Sequence, residues 1–152
     1  MVKELKKYDF DECIKDELLR KIPSSKEKAE GSIKTAFKWL EESEKNMQIE
    51  AFKSSLMSSY LAMFHSARSI LFLDGYREKS HYCIARYLEE KYAKKGLIGD
   101  RWIELLDYYR DLRHNDQYST SFIGTKEDAE NALQKAKEFV DRINQLLGDK
   151  IK

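Results

Sequence analysis

Residues 56–73 read LMSSYLAMFHSARSILFL and form the most apolar stretch of the chain. The apolar side chains recur every three or four positions, which is the spacing of residues that share one face of a helix. His65 and Arg68 interrupt the stretch, so it lacks the continuous apolar length of a membrane span. We therefore predict a buried helix near residues 50–74, ended by Gly75, at the centre of a helical bundle.

The rest of the chain divides into helix-sized segments at its glycines and its single proline. Residues that favour strands are scarce, so we predict no strand. The fold class is expected to be all-α: one domain over residues 1–152, an up-and-down bundle of five to six helices with a four-helix core and short accessory helices. The other helices are expected over about 10–21, from a capping box at Ser24–Glu27 to Met47, from Ser80 to Lys94, from Asp100 through Leu112, and from Thr125 to Leu147.

The charge balance sets limits on the partners of the chain. Lysine and arginine number 28 and aspartate and glutamate 27, while charged residues make up 36% of the chain. Such a balance gives no global positive field, so contact with nucleic acid would have to come from a local patch. The high charge content is typical of helices whose outer faces carry mixed ion pairs.

The two cysteines and the N-terminus bear on location. Cys13 and Cys83 lie far apart and form no C-x-x-C motif, so we expect reduced thiols that pack as small apolar side chains. Reduced cysteines and the absence of an apolar leader at the N-terminus together predict a cytoplasmic protein that makes no membrane contact.

The densest polar and aromatic cluster lies at residues 108–118, which read YYRDLRHNDQY. Arg110 and His114 are four residues apart and so share one face of the predicted fifth helix. A histidine can exchange a proton near neutral pH, and a guanidinium can hold two phosphate oxygens, so this pair suits a phosphodiester site. The alternative is that Asp107–Arg110 and Asp111–His114 are ordinary ion pairs on a solvated helix.

Two further histidines lie on or beside helices. His65 and Arg68 are one turn apart on the apolar central helix and need partners, because an unpaired buried polar group costs roughly 1–3 kcal/mol. Either His65 fixes helix packing, or both side chains line a cleft next to Arg110. His81 follows Lys79 and Ser80 and is expected to be a helix-cap or surface residue.

Several classes of site have no support in the sequence. No cluster has zinc-ligand spacing, and neither an H-E-x-x-H motif nor a glycine-rich phosphate loop is present. The paired Glu-x-x-His motifs of a di-iron bundle are also missing. We therefore expect no metal and no cofactor.

Two segments carry a resemblance to a known family. Residues 59–71, SYLAMFHSARSIL, followed by Lys79-Ser80-His81, are similar to the Y-Y-A-M-F-H-A-A-R-A-L-L helix and its following segment in the HEPN domain (higher eukaryotes and prokaryotes nucleotide-binding), in its small stand-alone prokaryotic branch. Residues 110–118, RDLRHNDQY, resemble the late R…H or R…DY helix of that family. With the helix order, the likeness covers about residues 25–148.

The resemblance implies a dimer in which the late motif lines a cleft between subunits, and a toxin–antitoxin pairing with a minimal nucleotidyltransferase. It also implies a metal-independent ribonuclease in which a ribose 2′-OH attacks the adjacent phosphate. His114 would then be the acid and base, and Arg110 would stabilise the charge on the phosphate. The residues that would line the cleft or bind nucleotide are His65, Arg68, Arg113 and Tyr118.

The late motif departs from the family pattern in its spacing. Active members have Arg, four to six residues and then His, whereas here three residues separate Arg110 from His114. The alternative, ranked close behind the ribonuclease, is therefore a non-catalytic module that binds a nucleotide or a nucleotidyltransferase partner. A structural dimerisation domain is a third interpretation.

Overall fold

The structure is a computed structural model that describes residues 9–118 and 125–152, with the side chains of all of these except 115–118. Its elements follow the chain in this order: α1 (Phe10–Lys15), β1 (Leu19–Lys21), α2 (Lys26–Gln48), α3 (Phe52–Asp74), β2 (Tyr76–Glu78), α4 (His81–Leu88), a π-helical turn (Glu89–Ala93), α5 (Asp100–Tyr118) and α6 (Lys126–Ile151). The predicted all-α helical bundle is confirmed.

Helix α3 occupies the centre of the bundle. It packs most extensively against α2 and next against α6, and it also contacts α4 and α5. Met63, Ala67 and Ile70 are fully buried, and so are several serines on other faces of the helix. The helix is therefore covered on more than one side, as a central bundle helix must be.

Three buried serines join α2 to α3. The Ser43 hydroxyl lies 2.8 Å from the hydroxyls of both Ser55 and Ser59, and the Ser55 hydroxyl donates to the Ser43 carbonyl at 2.9 Å. Because these side chains are small, the two helix backbones can approach closely. Because every hydroxyl has a partner, its burial carries little desolvation penalty.

The ends of the long helices largely follow the predicted signals. Gly75 ends α3 with φ of 90°, and a Cβ atom there would lie 2.9 Å from the Ile22 carbonyl oxygen, so this position requires glycine. Thr125 caps α6 as predicted, with its hydroxyl accepting from the Asp128 amide. The cap of α2 is Ser25, one residue later than predicted, because the Ser24 hydroxyl instead donates to the Leu73 carbonyl.

The first predicted helix and the absence of strands are corrected by the structure. Helix α1 ends at Lys15, and Glu17 adopts a positive φ of 60°. The chain then forms β1, which pairs antiparallel with β2 so that Leu19 lies opposite Glu78. Residues 19–22 have apolar positions compatible with a helix, but their backbone partners lie more than fifty residues away, where local spacing carries no information.

The prediction of two reduced cysteines is wrong. Cys13 and Cys83 form a disulfide, with 6.0 Å between their Cα atoms and 70 residues between them in sequence. Both residues are fully buried. Helix α1 packs against α4 and brings the two sulfurs together, which no local spacing could indicate.

Asp74, the last residue of α3, joins three elements. Its Oδ2 accepts hydrogen bonds from the hydroxyls of Tyr87 at 2.8 Å and Tyr92 at 2.6 Å, and its Oδ1 lies 3.2 Å from Lys150 Nζ on α6. Burial, together with these bonds to a carboxylate, raises the pKa of both tyrosines. We call these four residues the Asp74 network.

None of the helices within the described ranges combines the length and the apolar character needed to cross a bilayer.

Candidate functional site

The two candidate catalytic residues on helix α5, Arg110 and His114, differ in how far they are exposed to solvent. Ile103, Leu106 and Tyr109 bury one face of the helix against the core. The side chain of Arg110 is 15% exposed and lies against α4. His114 follows one turn later and is exposed.

The guanidinium of Arg110 is held by two carboxylates. It donates to Asp107 Oδ1 at 2.5 Å and to Asp111 Oδ1 at 2.8 Å. Its central carbon lies 4.8 Å from the centre of the Tyr82 ring, an arrangement that favours a cation–π interaction. The Asp107–Arg110 pair proposed as the structural alternative is therefore present. The guanidinium that the sequence assigns to phosphate binding is thus bonded to Asp107 in this structure.

A second arginine, which the sequence did not single out, shares Asp107 and the Tyr82 ring with Arg110. Arg86 on α4 donates to Asp107 Oδ2 at 2.6 Å and to Glu89 Oε1 at 3.1 Å. Its guanidinium also lies over the Tyr82 ring, 4.5 Å from the centre. Asp107 thus bridges two arginines, and this bridge fixes α4 against α5.

His65 and Arg68 have partners on and near α3. Arg68 donates from Nε to Glu78 Oε1 at 3.2 Å and lies 5.1 Å from the centre of the Phe72 ring. His65 is partly buried and contacts Phe64 edge-on. Burial, and then the nearby Arg68, lower the pKa of His65.

His81 is not the surface residue that we predicted. Its ring stacks on Phe64, with 4.0 Å between ring centres and 20° between the planes. Its Nδ1 lies 3.0 Å from the hydroxyl of Tyr60, which is itself only 1% exposed. His81 begins α4, and the packing of α4 on α3 leaves its ring partly buried against α3.

Basic side chains of two helices, α3 and α5, surround His81 on α4. Arg113 lies over the Tyr60 ring, 5.4 Å from its centre, and the hydroxyl of the same tyrosine is hydrogen-bonded to His81. Burial, and then the charges of Arg113, Arg68, His65 and Arg110, lower the pKa of His81 to about 4. We call these five residues, His65, Arg68, His81, Arg110 and Arg113, the basic cluster.

The basic cluster brings together most of the residues chosen from the sequence. Four of these residues lower the pKa of His81: His65, Arg68, Arg110 and Arg113. The sequence predicts His81 itself to be a helix-cap or surface residue. The prediction that Tyr118 lines the same cleft falls outside the described side chains. No local spacing could have identified His81, because Tyr60 and Phe64, which set its environment, lie about twenty residues earlier in the sequence.

A concavity lies on the other side of Asp107. It has a volume of about 330 Å³ and is lined by Glu89, Lys94, Asp100, Ile103, Glu104 and Asp107. Four carboxylates against one ammonium make this surface unsuitable for a phosphate. Within residues 9–118 and 125–152, no group of three or more histidine, cysteine or acidic side chains could hold a metal ion.

Comparison with known proteins agrees with the resemblance found in the sequence. A model of the HEPN domain matches residues 29–146. A protein of Methanocaldococcus jannaschii named "Putative toxin MJ0605" is 27% identical over 96 residues, which are 63% of this chain and 71% of that protein. Since the family match spans most of the sequence and the fold is the expected helical bundle, this chain belongs to the HEPN domain family.

Proposed function

We propose that this chain is the HEPN subunit of a toxin–antitoxin-like system linked to a nucleotidyltransferase, and that it cleaves RNA without a metal ion. The observation that carries the proposal is the basic cluster: basic side chains of α3, α4 and α5 converge in a chain whose net charge is only +1. A local positive surface of this kind attracts the phosphates of RNA. Similarity to a protein named as a toxin adds support.

The proposed reaction is an internal transfer at phosphorus. His114 removes the proton of a ribose 2′-OH, the 2′-oxygen attacks the adjacent phosphorus, and the bond to the 5′-oxygen breaks. The His114 imidazolium then gives its proton to the leaving 5′-oxygen, so the products are a 2′,3′-cyclic phosphate and a 5′-hydroxyl, and His114 is again neutral. Arg110 stabilises the negative charge that builds on the phosphate oxygens.

Arg110 must exchange one partner to take part. Asp111 is 67% exposed, so its bond to Arg110 is weak and can be replaced by a phosphate oxygen. Asp107 is only 27% exposed and also binds Arg86, so it stays in place and orients the guanidinium. The phosphate would then occupy the position that Asp111 holds in the free protein.

A second candidate function is a non-catalytic module that binds a nucleotide or a nucleotidyltransferase partner. The pairing of Arg110 with two carboxylates favours it, because the guanidinium charge is already compensated. In this function the basic cluster binds phosphate, but His114 transfers no proton.

Cleavage of RNA in the presence of EDTA distinguishes the two functions. We expect wild-type protein to produce 2′,3′-cyclic ends and His114→Ala and Arg110→Ala to lose this activity. Arg101→Ala is the matched control, since Arg101 lies on the same helix, is 61% exposed and pairs with Glu138. Equal cleavage by all four proteins would contradict the assignment. Nucleotide binding without cleavage would support the binding module instead.

We further propose a homodimer whose late motifs face each other, with a cytoplasmic location. A cytoplasm is usually too reducing for a disulfide, although intracellular proteins of hyperthermophiles often contain them. Light scattering after gel filtration measures the oligomeric state, and a monomer at micromolar concentration would contradict the proposed homodimer. Co-purification with the product of a neighbouring nucleotidyltransferase gene tests the partner, and fractionation of the source cells tests the location.

A further inference from the structure

We propose that the imidazole of His81 and the guanidinium of Arg113 together bind a phosphate group of the RNA or nucleotide ligand. The inference rests on the proposed function, because it names the residues that would hold a phosphate at the basic cluster. It adds a histidine outside the late motif to the site.

The ring of His81 is fixed in orientation by two contacts on α3. Phe64 supports one face of the ring at 4.0 Å, and the Tyr60 hydroxyl lies 3.0 Å from Nδ1. Burial raises the pKa of Tyr60, so its hydroxyl keeps its proton and can donate it to Nδ1. The neutral imidazole then carries its own proton on Nε2, the nitrogen on the other side of the ring, and that N–H is the donor offered to a ligand.

The positive charge around His81 is only partly compensated. Arg68 is paired with Glu78, and Arg110 is paired with Asp107 and Asp111. Arg113, by contrast, has no carboxylate partner among the side chains that the structure describes, and it lies over the Tyr60 ring. Among the described side chains, the cluster therefore has one guanidinium without a carboxylate partner, and this guanidinium shares Tyr60 with the fixed imidazole of His81. An anion would neutralise such an arrangement.

Phosphate is the anion that best suits this pair. A guanidinium binds two phosphate oxygens through a planar fork, and a neutral imidazole adds a third hydrogen bond without adding repulsion between cations. Burial and the surrounding arginines keep His81 neutral at pH 7, since they lower its pKa to about 4. A bound phosphate opposes the effect of those arginines, so ligand binding should raise the pKa of His81.

The test is a titration of the full-length protein in EDTA, followed by the NMR signal of the His81 ring. The probes are inorganic phosphate, 5′-AMP, and a deoxy-dinucleotide that lacks the 2′-OH and cannot be cleaved. The signal is assigned by its absence from the His81→Phe spectrum. We expect binding of a probe to raise the pKa of His81 by at least one unit. A response to 5′-AMP identifies a phosphate monoester ligand, and a response to the dinucleotide identifies an RNA-type diester.

Three variants support the measurement. His81→Phe keeps the stacking on Phe64 but removes both nitrogens, and Arg113→Gln removes the charge; each should weaken probe binding about 10-fold. Arg101→Gln on the same helix should bind as wild type does. If His81→Phe does not fold, Arg113→Gln and the wild-type titration still decide the question.

Two results overturn the inference: a His81 pKa that no probe moves, or wild-type affinity in both His81→Phe and Arg113→Gln. The outcome is separable from that of the proposed function. Cleavage that depends on His114 but not on His81 removes the phosphate site and leaves the ribonuclease. Probe binding that depends on His81, without any cleavage, leaves the site in a binding module.

Discussion

The Asp74 network and the basic cluster both contain charged side chains on α3, yet their charges are balanced differently. Asp74 is surrounded by two tyrosine hydroxyls and one ammonium, so its one negative charge meets one positive charge and several donors. The basic cluster retains Arg113 without a carboxylate among the described side chains. A balanced network is expected to stabilise the fold, whereas a surplus of one charge is expected to bind a ligand.

Helix α4 contributes to both regions, through Tyr87 and His81, and the disulfide holds its first turns against α1. Replacing both cysteines by serine should therefore have the largest effect. Because the bond closes a loop of 70 residues, the loss in free energy of unfolding should be about 4 kcal/mol. Urea unfolding of the double variant measures it. The expectation would be contradicted if the double variant, or the wild-type protein after reduction, had the same free energy of unfolding as the oxidised wild-type protein.

Asp74→Ala should break the balanced network with the next largest effect. Two buried tyrosine hydroxyls would lose a charged acceptor, which should cost about 3 kcal/mol of unfolding free energy. Asp149→Ala is the matched control on α6, since Asp149 is 73% exposed and only distantly paired with Lys152. Phosphate binding should be unchanged in any Asp74→Ala protein that folds. A parallel loss of binding would show that the two regions are not independent.

Acid should destabilise the basic cluster selectively. The folded state lowers the pKa of His81 from 6.5 to about 4, so below pH 6.5 the unfolded chain takes up a proton that the folded protein does not. Stability is therefore lost as the pH falls through this window, and His81 should account for about 1–2 kcal/mol between pH 7 and 5 after allowance for solvent screening. Urea unfolding at pH 7 and at pH 5 should show that the free energy of unfolding falls less in His81→Phe than in the wild-type protein. An equal loss would exclude this role.

Asp111→Asn should give the smallest effect on stability and sharpen the contrast in charge. The carboxylate is 67% exposed, so its removal should change the unfolding free energy by less than about 1 kcal/mol. Arg110 would lose one of its two anionic partners, and affinity for RNA should rise about 3-fold. Filter binding at fixed salt measures this change. Weaker binding would indicate that Asp111 contributes directly to RNA recognition.

The parts of the fold that could be predicted are those fixed by local periodicity. Helices α3 and α6 were placed correctly because their apolar spacing and their end signals, Gly75 and Thr125, lie within each segment. The strand pair and the disulfide were missed, since each joins residues that are far apart in sequence.

The candidate site shows the same limit. Arg110 and His114 could be placed on one helix, but the Asp107–Arg110 pair could only be weighed as an alternative, and Asp111 was considered as a partner of His114 and not of Arg110. His81 was judged from its neighbours in sequence, whereas its environment is set by Tyr60 and Phe64, about twenty residues earlier. Predicting it would have required the packing of α4 on α3.

The buried serines between α2 and α3 have a consequence for how these helices align. Apolar surfaces can slide along each other at little cost, but a hydroxyl that loses its partner inside a core is penalised. Ser55 and Ser59 are one turn apart, so a shift of one helical turn, roughly 5 Å, would leave only one of them beside Ser43 and would remove the contact of the other. The three hydroxyls thus fix the alignment of α2 and α3 along their axes. His65 and Arg68 lie further along α3, so their axial position depends on the same contacts.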